Sequence, residues 1–110
     1  MVGAGLVFCS GQIALDPATG EMVRDSIEDE TRRCMENLRA ILEAAGSDLA
    51  HVLKATIFLT NMDDFARVNA VYVSYFQGFP APARACVGVF QLPRGARVEV
   101  ECVALCPDPR

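Results

Sequence analysis

A chain of 110 residues makes one domain, and with 52% hydrophobic and 22% charged residues that domain is globular, not a disordered tract. The net charge of −4, with its ten lysines and arginines scattered, excludes a sequence-independent nucleic-acid binder, which needs a dense cationic footprint. No apolar stretch is long enough to span a bilayer, and Met1 to Gly11 is too short and too uncharged to act as a signal peptide.

Residues 5–10 and 12–15 read as a strand and its continuation. Asp16-Pro17-Ala18-Thr19-Gly20 is a turn with Pro early and Gly late, after which residues 21–23 form a short returning strand. The spacing predicts a helix over 26–45. Ser26 caps it with Asp29 three residues on, and acidic residues crowd the first turn, where the helix dipole favours them. Ile27, Cys34, Leu38, Ile41, Leu42 and Ala45 supply its apolar stripe, and Gly46 stops it.

Val52 to Thr60 is an apolar run rich in β-branched and aromatic residues, the pattern of a central strand. Asn61-Met62-Asp63-Asp64 starts a second helix with Phe65, Val68, Tyr72, Tyr75 and Phe76 as its buried face, ended by Gly78, Pro80 and Pro82. Residues 83–91 and 96–105 are expected to form a hairpin about Pro93–Gly95, and Cys106 to Arg110 a frayed tail. The order β-β-α-β-α-β-β describes an α+β domain, a single mixed sheet with two helices packed on one face.

That architecture leaves one face of the sheet uncovered. Strand alternation puts Val98, Val100, Cys102 and Ala104 under the helices and Glu99, Glu101 and Val103 on the open side. With a hairpin at Pro93–Gly95, Arg84, Cys86 and Gly88 share that open side, and Gly88 stands opposite Glu99. A mixed polar and apolar face of this kind fits a contact with another subunit that holds a ligand between the two. The positive mean hydropathy of so small a domain points the same way, to oligomerisation.

Five cysteines (Cys9, Cys34, Cys86, Cys102 and Cys106) form no CxxC pair, and His51 is the lone histidine, so neither a disulfide framework nor a metal site is expected. Buried thiols fit a reducing compartment, the cytoplasm or alternatively a mitochondrion.

The segments Ser10-Gly11-Gln12-Ile13 with Asp16-Pro17 and Gly20, Asn37-Leu38 with Glu43-Ala44-Ala45-Gly46, Asp64-Phe65 with Val68-Asn69 and Tyr72, Pro82-Ala83-Arg84-Ala85-Cys86-Val87, and Leu92-Pro93 with Val98-Glu99-Val100-Glu101 span nearly the whole chain. In this order they resemble the Rid family of enamine/imine deaminases, also called YjgF-like or L-PSP endoribonuclease proteins. The resemblance implies a chorismate-mutase-like fold and a homotrimer with a site at each subunit interface. It also implies hydrolysis of 2-imino acids such as 2-iminobutanoate and 2-iminopropanoate to 2-oxo acids and ammonia, with no cofactor. Family members begin a strand earlier, with a Gly-Pro-Tyr-Ser-Gln-type segment whose tyrosine lines the site. Residues 1–110 are therefore expected to form a single Rid-like domain lacking that strand.

A guanidinium grips a carboxylate through two parallel hydrogen bonds, so Arg84 suits the carboxylate of a 2-imino acid. Spacing alone leaves an ion pair with Glu99 or Glu101 equally open, and the resemblance favours the ligand. It likewise selects Glu99 over Glu101 as the carboxylate that handles water and moves the proton to the departing nitrogen. Cys86 is implied to contribute backbone groups near the imine, and no activating neighbour in sequence makes it a nucleophile. Ser10 and Gly11 are placed by the resemblance in the site wall, where the alternative is a simple bulge. Asn69, four residues after Phe65 and three before Tyr72, needs a polar partner and either ties helix to loop or points into the pocket. Phe65 and Tyr72 read as plain core. The remaining alternatives are a non-catalytic, small-carboxylate-binding or regulatory trimer and, with an acidic chain against it, an endoribonuclease or translation inhibitor.

Overall fold

The computed structural model describes residues 2–107. Its strands are β1 (Val2–Gly3), β2 (Leu6–Gln12), β3 (Val52–Leu59), β4 (Ala83–Gly88) and β5 (Val98–Leu105), and its helices are α1 (Ile27–Ala44) and α2 (Phe65–Ser74). They form one five-stranded sheet in the order β1-β2-β5-β3-β4, mixed because β3 and β4 are parallel and every other pair is antiparallel. β1 and β2 meet through Ala4 and Gly5, both at positive φ (53° and 76°), as a two-residue hairpin turn requires. The expected returning strand at 21–23 shrinks to one bridge, Leu15 to Met22, because the Asp16–Gly20 turn closes on itself and the chain then leaves for the α1 cap.

α1 begins where the capping residues put it. The Ser26 hydroxyl accepts from the Asp29 N–H at 3.0 Å, and Glu28, Asp29 and Glu30 occupy the first turn. Ile27, Cys34, Leu38 and Leu42 are buried as the stripe predicts, joined by Met35, but Ile41 is 39% exposed. The buried apolar arc is centred near Leu38, which leaves Ile41 at its margin. Along α2, Val68, Val71, Tyr72 and Phe76 close the core, with Phe65 and Tyr75 half-buried. Against the helices lie Val7, Cys9, Ala55, Ile57, Leu59, Val98, Val100, Cys102 and Ala104, so the core is a single layer between sheet and helices.

The expected hairpin of β4 with β5 does not form: β3 lies between them. β4 follows α2 and returns parallel to β3, as a crossover through a helix allows, while β5 lies antiparallel on the other side of β3. Pro93–Gly95 is a turn, with Arg94 at φ 60°, but it belongs to an arch over the end of β3. The Val89 N–H donates to the Leu59 carbonyl at 2.8 Å on one side of that end, and the Thr60 N–H to the Arg97 carbonyl at 3.2 Å on the other. Gly88 consequently stands opposite Leu59, with Met62 against it, and not opposite Glu99.

The arch is anchored to α1 by Glu30, whose fully buried carboxylate accepts from both the N–H and the Nε of Arg97 at 2.7 Å each. At the far end of β5, Cys106 is buried and its N–H donates to the Gly5 carbonyl at 2.8 Å, so it is not part of a frayed tail. The rest of that tail, residues 108–110, lies outside the described residues.

Candidate functional site

β4 and α2 together hold Arg84. Its register partner Ala55 is core, so Arg84 leaves β4 on the helix side of the sheet. There the guanidinium lies 5.4 Å from the centre of the Phe65 ring and 5.3 Å from that of Tyr72, and Nη1 donates to Asn69 Oδ1. Phe65, Asn69 and Tyr72 follow one another at i, i+4 and i+7, hence along one face of α2. They hold the cation from below and from one side while the residue as a whole remains exposed. Among the described residues Arg84 forms no ion pair, so the proposed bridge to Glu99 or Glu101 is absent.

Cys86, two residues along the same strand, is half-buried beside the core, and burial pushes its thiol up while the Arg84 charge pulls the other way. A thiol held in its neutral form is a poor nucleophile. The Tyr72 hydroxyl is buried with no hydrogen-bond partner among the described residues and is pushed up to about 12, chiefly by burial.

The other candidates gather elsewhere. Cys9 stands opposite Cys102 while Gln12 stands opposite Val100, so β2 carries one extra residue and Ser10-Gly11 is a β-bulge. Glu99 leans into that bulge. A Cβ on Gly11 would lie 2.6 Å from the Glu99 carboxyl carbon, closer than side chains approach, so the glycine leaves room for the carboxylate. Burial raises the Glu99 pKa, and the nearby Glu101 charge raises it further.

The bulge that the sequence left as the simpler alternative is thus present, and it makes room for the Glu99 carboxylate. Gly11→Ala is expected to push the Glu99 carboxylate off the bulge, and a crystal structure of the variant checks this by the position of that group.

Register separates the two groups. Glu99 pairs with Phe58, and Glu101 with Thr56, on the open face, whereas Arg84 and Cys86 align with Ala55 and Ile57 on the helix face. Arg84 and Glu99 therefore project from opposite faces of the sheet, contrary to the expectation from a hairpin. The open face also carries a shallow hollow of about 670 Å³ lined by Phe8, Ser10, Lys54, Thr56, Glu101 and Val103. On the same face Phe8, Val87 and Leu105 are 47%, 44% and 43% exposed, which makes the uncovered face apolar as well as acidic.

The family described as Endoribonuclease L-PSP matches residues 1–106, the whole of this arrangement. The chain belongs to that family. It is the Rid, or YjgF-like, family whose motifs the sequence resembles. Among relatives, Protein DfrA of Myxococcus xanthus is 55% identical over 94% of this chain and 79% of its own length. The 2-iminobutanoate/2-iminopropanoate deaminase of Mus musculus is 46% identical over 90% of this chain and 73% of its own. Among solved structures, TdcF of E. coli with bound serine superposes with a TM-score of 0.91 at 37% identity, covering 96% of this chain and 84% of that one. Of the Rid-type residues read from sequence, Arg84, Asn69 and Cys86 form one cluster and Ser10, Gly11 and Glu99 another. The aromatic bed beneath Arg84 escaped the reading, because aromatic residues at helical spacing are ordinary core. The signal was Asn69 between them, a polar residue on an apolar stripe.

Proposed function

We propose that the chain assembles as a homotrimer with composite sites, the Arg84 cluster of one copy facing the Glu99 cluster of the next. At each site a 2-imino acid such as 2-iminobutanoate or 2-iminopropanoate is hydrolysed to the 2-oxo acid and ammonia. The observation that carries this reading is the separation of the two clusters onto opposite faces. Each is half a site, and the apolar open face beside Glu99 gives a second copy something to cover. The deaminase name of a relative supports the reaction class, and serine bound to TdcF supports a small amino-acid-like carboxylate as ligand.

In this reading Arg84 binds the substrate carboxylate in bidentate fashion, its plane fixed by Phe65, Tyr72 and Asn69. The imine carbon, one bond away, is thereby oriented, with backbone groups of Cys86 beside it. Glu99 takes a proton from water as the oxygen adds to that carbon and returns it to the nitrogen. The resulting carbinolamine loses its hydroxyl proton to the same carboxylate. The C–N bond breaks as the nitrogen accepts that proton, releasing ammonia and the 2-oxo acid. No cofactor takes part. The natural setting is a reducing compartment, the cytoplasm, where imines released by amino-acid dehydratases form.

A coupled assay tests the reaction. A threonine dehydratase supplied with threonine generates 2-iminobutanoate, and this chain is expected to speed its decay. Binding of 2-oxobutanoate without faster decay would replace the deaminase with a carboxylate-binding trimer.

Because the raised Glu99 must be ionised to accept a proton, the rate should fall as pH drops through a limb above the ordinary carboxylate range. Glu99→Gln should remove that limb and lower kcat by roughly 10²–10⁴-fold while KM changes little. A pH profile of kcat/KM for both proteins is the measurement, and a limb that survives in the variant would assign the proton transfer to another group.

A further inference from the structure

Cys9 and Cys102 stand directly opposite each other in the β2–β5 ladder, both on the helix side and only 5% and 4% exposed. Opposed residues of an antiparallel pair have Cα atoms about 4.5 or 5.5 Å apart and Cβ atoms about 4.5–5.5 Å apart. A disulfide takes Cα separations of about 4.4–6.8 Å and Cβ separations of about 3.5–4.5 Å, so the backbone already suits one and the side chains need close by only about 1 Å. We propose that Cys9 and Cys102 are an oxidisable dithiol, converted by hydrogen peroxide into a disulfide within one chain.

The two thiols are unequal. A hydrogen bond from Cys102 holds the Cys9 thiol below its ordinary range in spite of burial, and the same bond together with burial pushes Cys102 up. In the proposal Cys9 is accordingly the attacking sulfur and Cys102 the resolving one. Cys34 and Cys86 are both pushed up by burial and make poorer targets.

β1 pairs with β2 only at Leu6 and Val7 and the bulge begins at Ser10, so the ladder is interrupted on both sides of Cys9, and local opening there is the route by which the proposal brings peroxide to the buried thiol. In the first step the Cys9 sulfur attacks one peroxide oxygen, the O–O bond breaks, and the departing hydroxide takes up a proton as water. Cys9 becomes the sulfenic acid. In the second step the Cys102 sulfur attacks the Cys9 sulfur, the S–O bond breaks, and the hydroxide leaves with the Cys102 proton as a second water. Two thiols are thus oxidised by two electrons and one peroxide is reduced. The new bond ties β2 to β5 at the residue before the Ser10–Gly11 bulge, hence beside the Glu99 cluster and two strands from Arg84.

The test treats the full, reduced chain with equimolar hydrogen peroxide, blocks the remaining thiols with iodoacetamide and maps peptides without reduction. The expected product has lost about 2 Da, joins the Cys9 and Cys102 peptides of one chain, and returns to thiols with dithiothreitol. In Cys9→Ala the linkage should vanish and Cys102 should be alkylated. Cys9 recovered as a sulfinic or sulfonic acid with Cys102 still a thiol would overturn the proposal, as would a link to another cysteine or between chains, or no reaction at Cys9. The wild-type map alone decides among these outcomes if the variant fails to fold.

Discussion

Replacing Arg84 with alanine is expected to lower imine turnover by on the order of 10²–10³-fold or more, while the melting temperature stays near that of the parent chain. The asymmetry follows from its setting. Arg84 is exposed on an edge strand and forms no ion pair among the described residues, so its loss leaves no buried charge behind. Arg84→Lys should not restore the rate, because an ammonium cannot reproduce the planar fork. The decisive version mixes two dead chains. Arg84→Ala and Glu99→Gln are unfolded together, refolded together and assayed. If each site draws its arginine and its glutamate from different copies, about one site in four in a randomly mixed trimer is intact, and activity returns to about that fraction of wild type. No recovery in verified mixed oligomers would mean that both residues act within one chain, and the composite site would fall.

Glu30→Ala should produce the largest loss of stability, about 3 kcal/mol or more, read from urea unfolding. The carboxylate is fully buried, and its two acceptor bonds satisfy the Arg97 N–H and Nε. Alanine leaves a cavity, an orphaned backbone donor and a guanidinium without its anion, and it releases the arch that leads into β5. Against a typical domain stability of about 5–15 kcal/mol this is a large fraction. Glu30→Gln keeps one acceptor oxygen and the side-chain volume and should cost less. A loss below about 0.5 kcal/mol for the alanine variant would show that water replaces the carboxylate without penalty.

The helices were the most legible part of the sequence. Ser26 with Asp29, the apolar stripe and Gly46 are local signals, and α1 runs between them. β5 was legible too, since strict alternation from Val98 to Ala104 fixes which side chains face the core. The partner of β4 was not. A Pro-Gly turn between two strands reads the same whether the strands pair with each other or lie on either side of a third. The deciding information was non-local: a strand, a helix and a strand in succession favour a parallel pair, and β3-α2-β4 is such a unit. That one choice set the face of Arg84 relative to Glu99. The candidate residues were therefore readable as a set but not as a geometry. Glu30 was hidden for a different reason, because an acid in the first turn of a helix is already explained by the dipole.

The opposite orientation of the two clusters has a consequence for the rate law. On the composite-site reading a chain diluted below its assembly constant carries two halves that cannot meet, and it turns nothing over at any substrate level. Velocity then rises more steeply than the first power of protein concentration until assembly is complete. The cell's supply of the protein would set how many sites exist as well as how many chains do, so that a small change in abundance becomes a larger change in the capacity to clear a reactive imine.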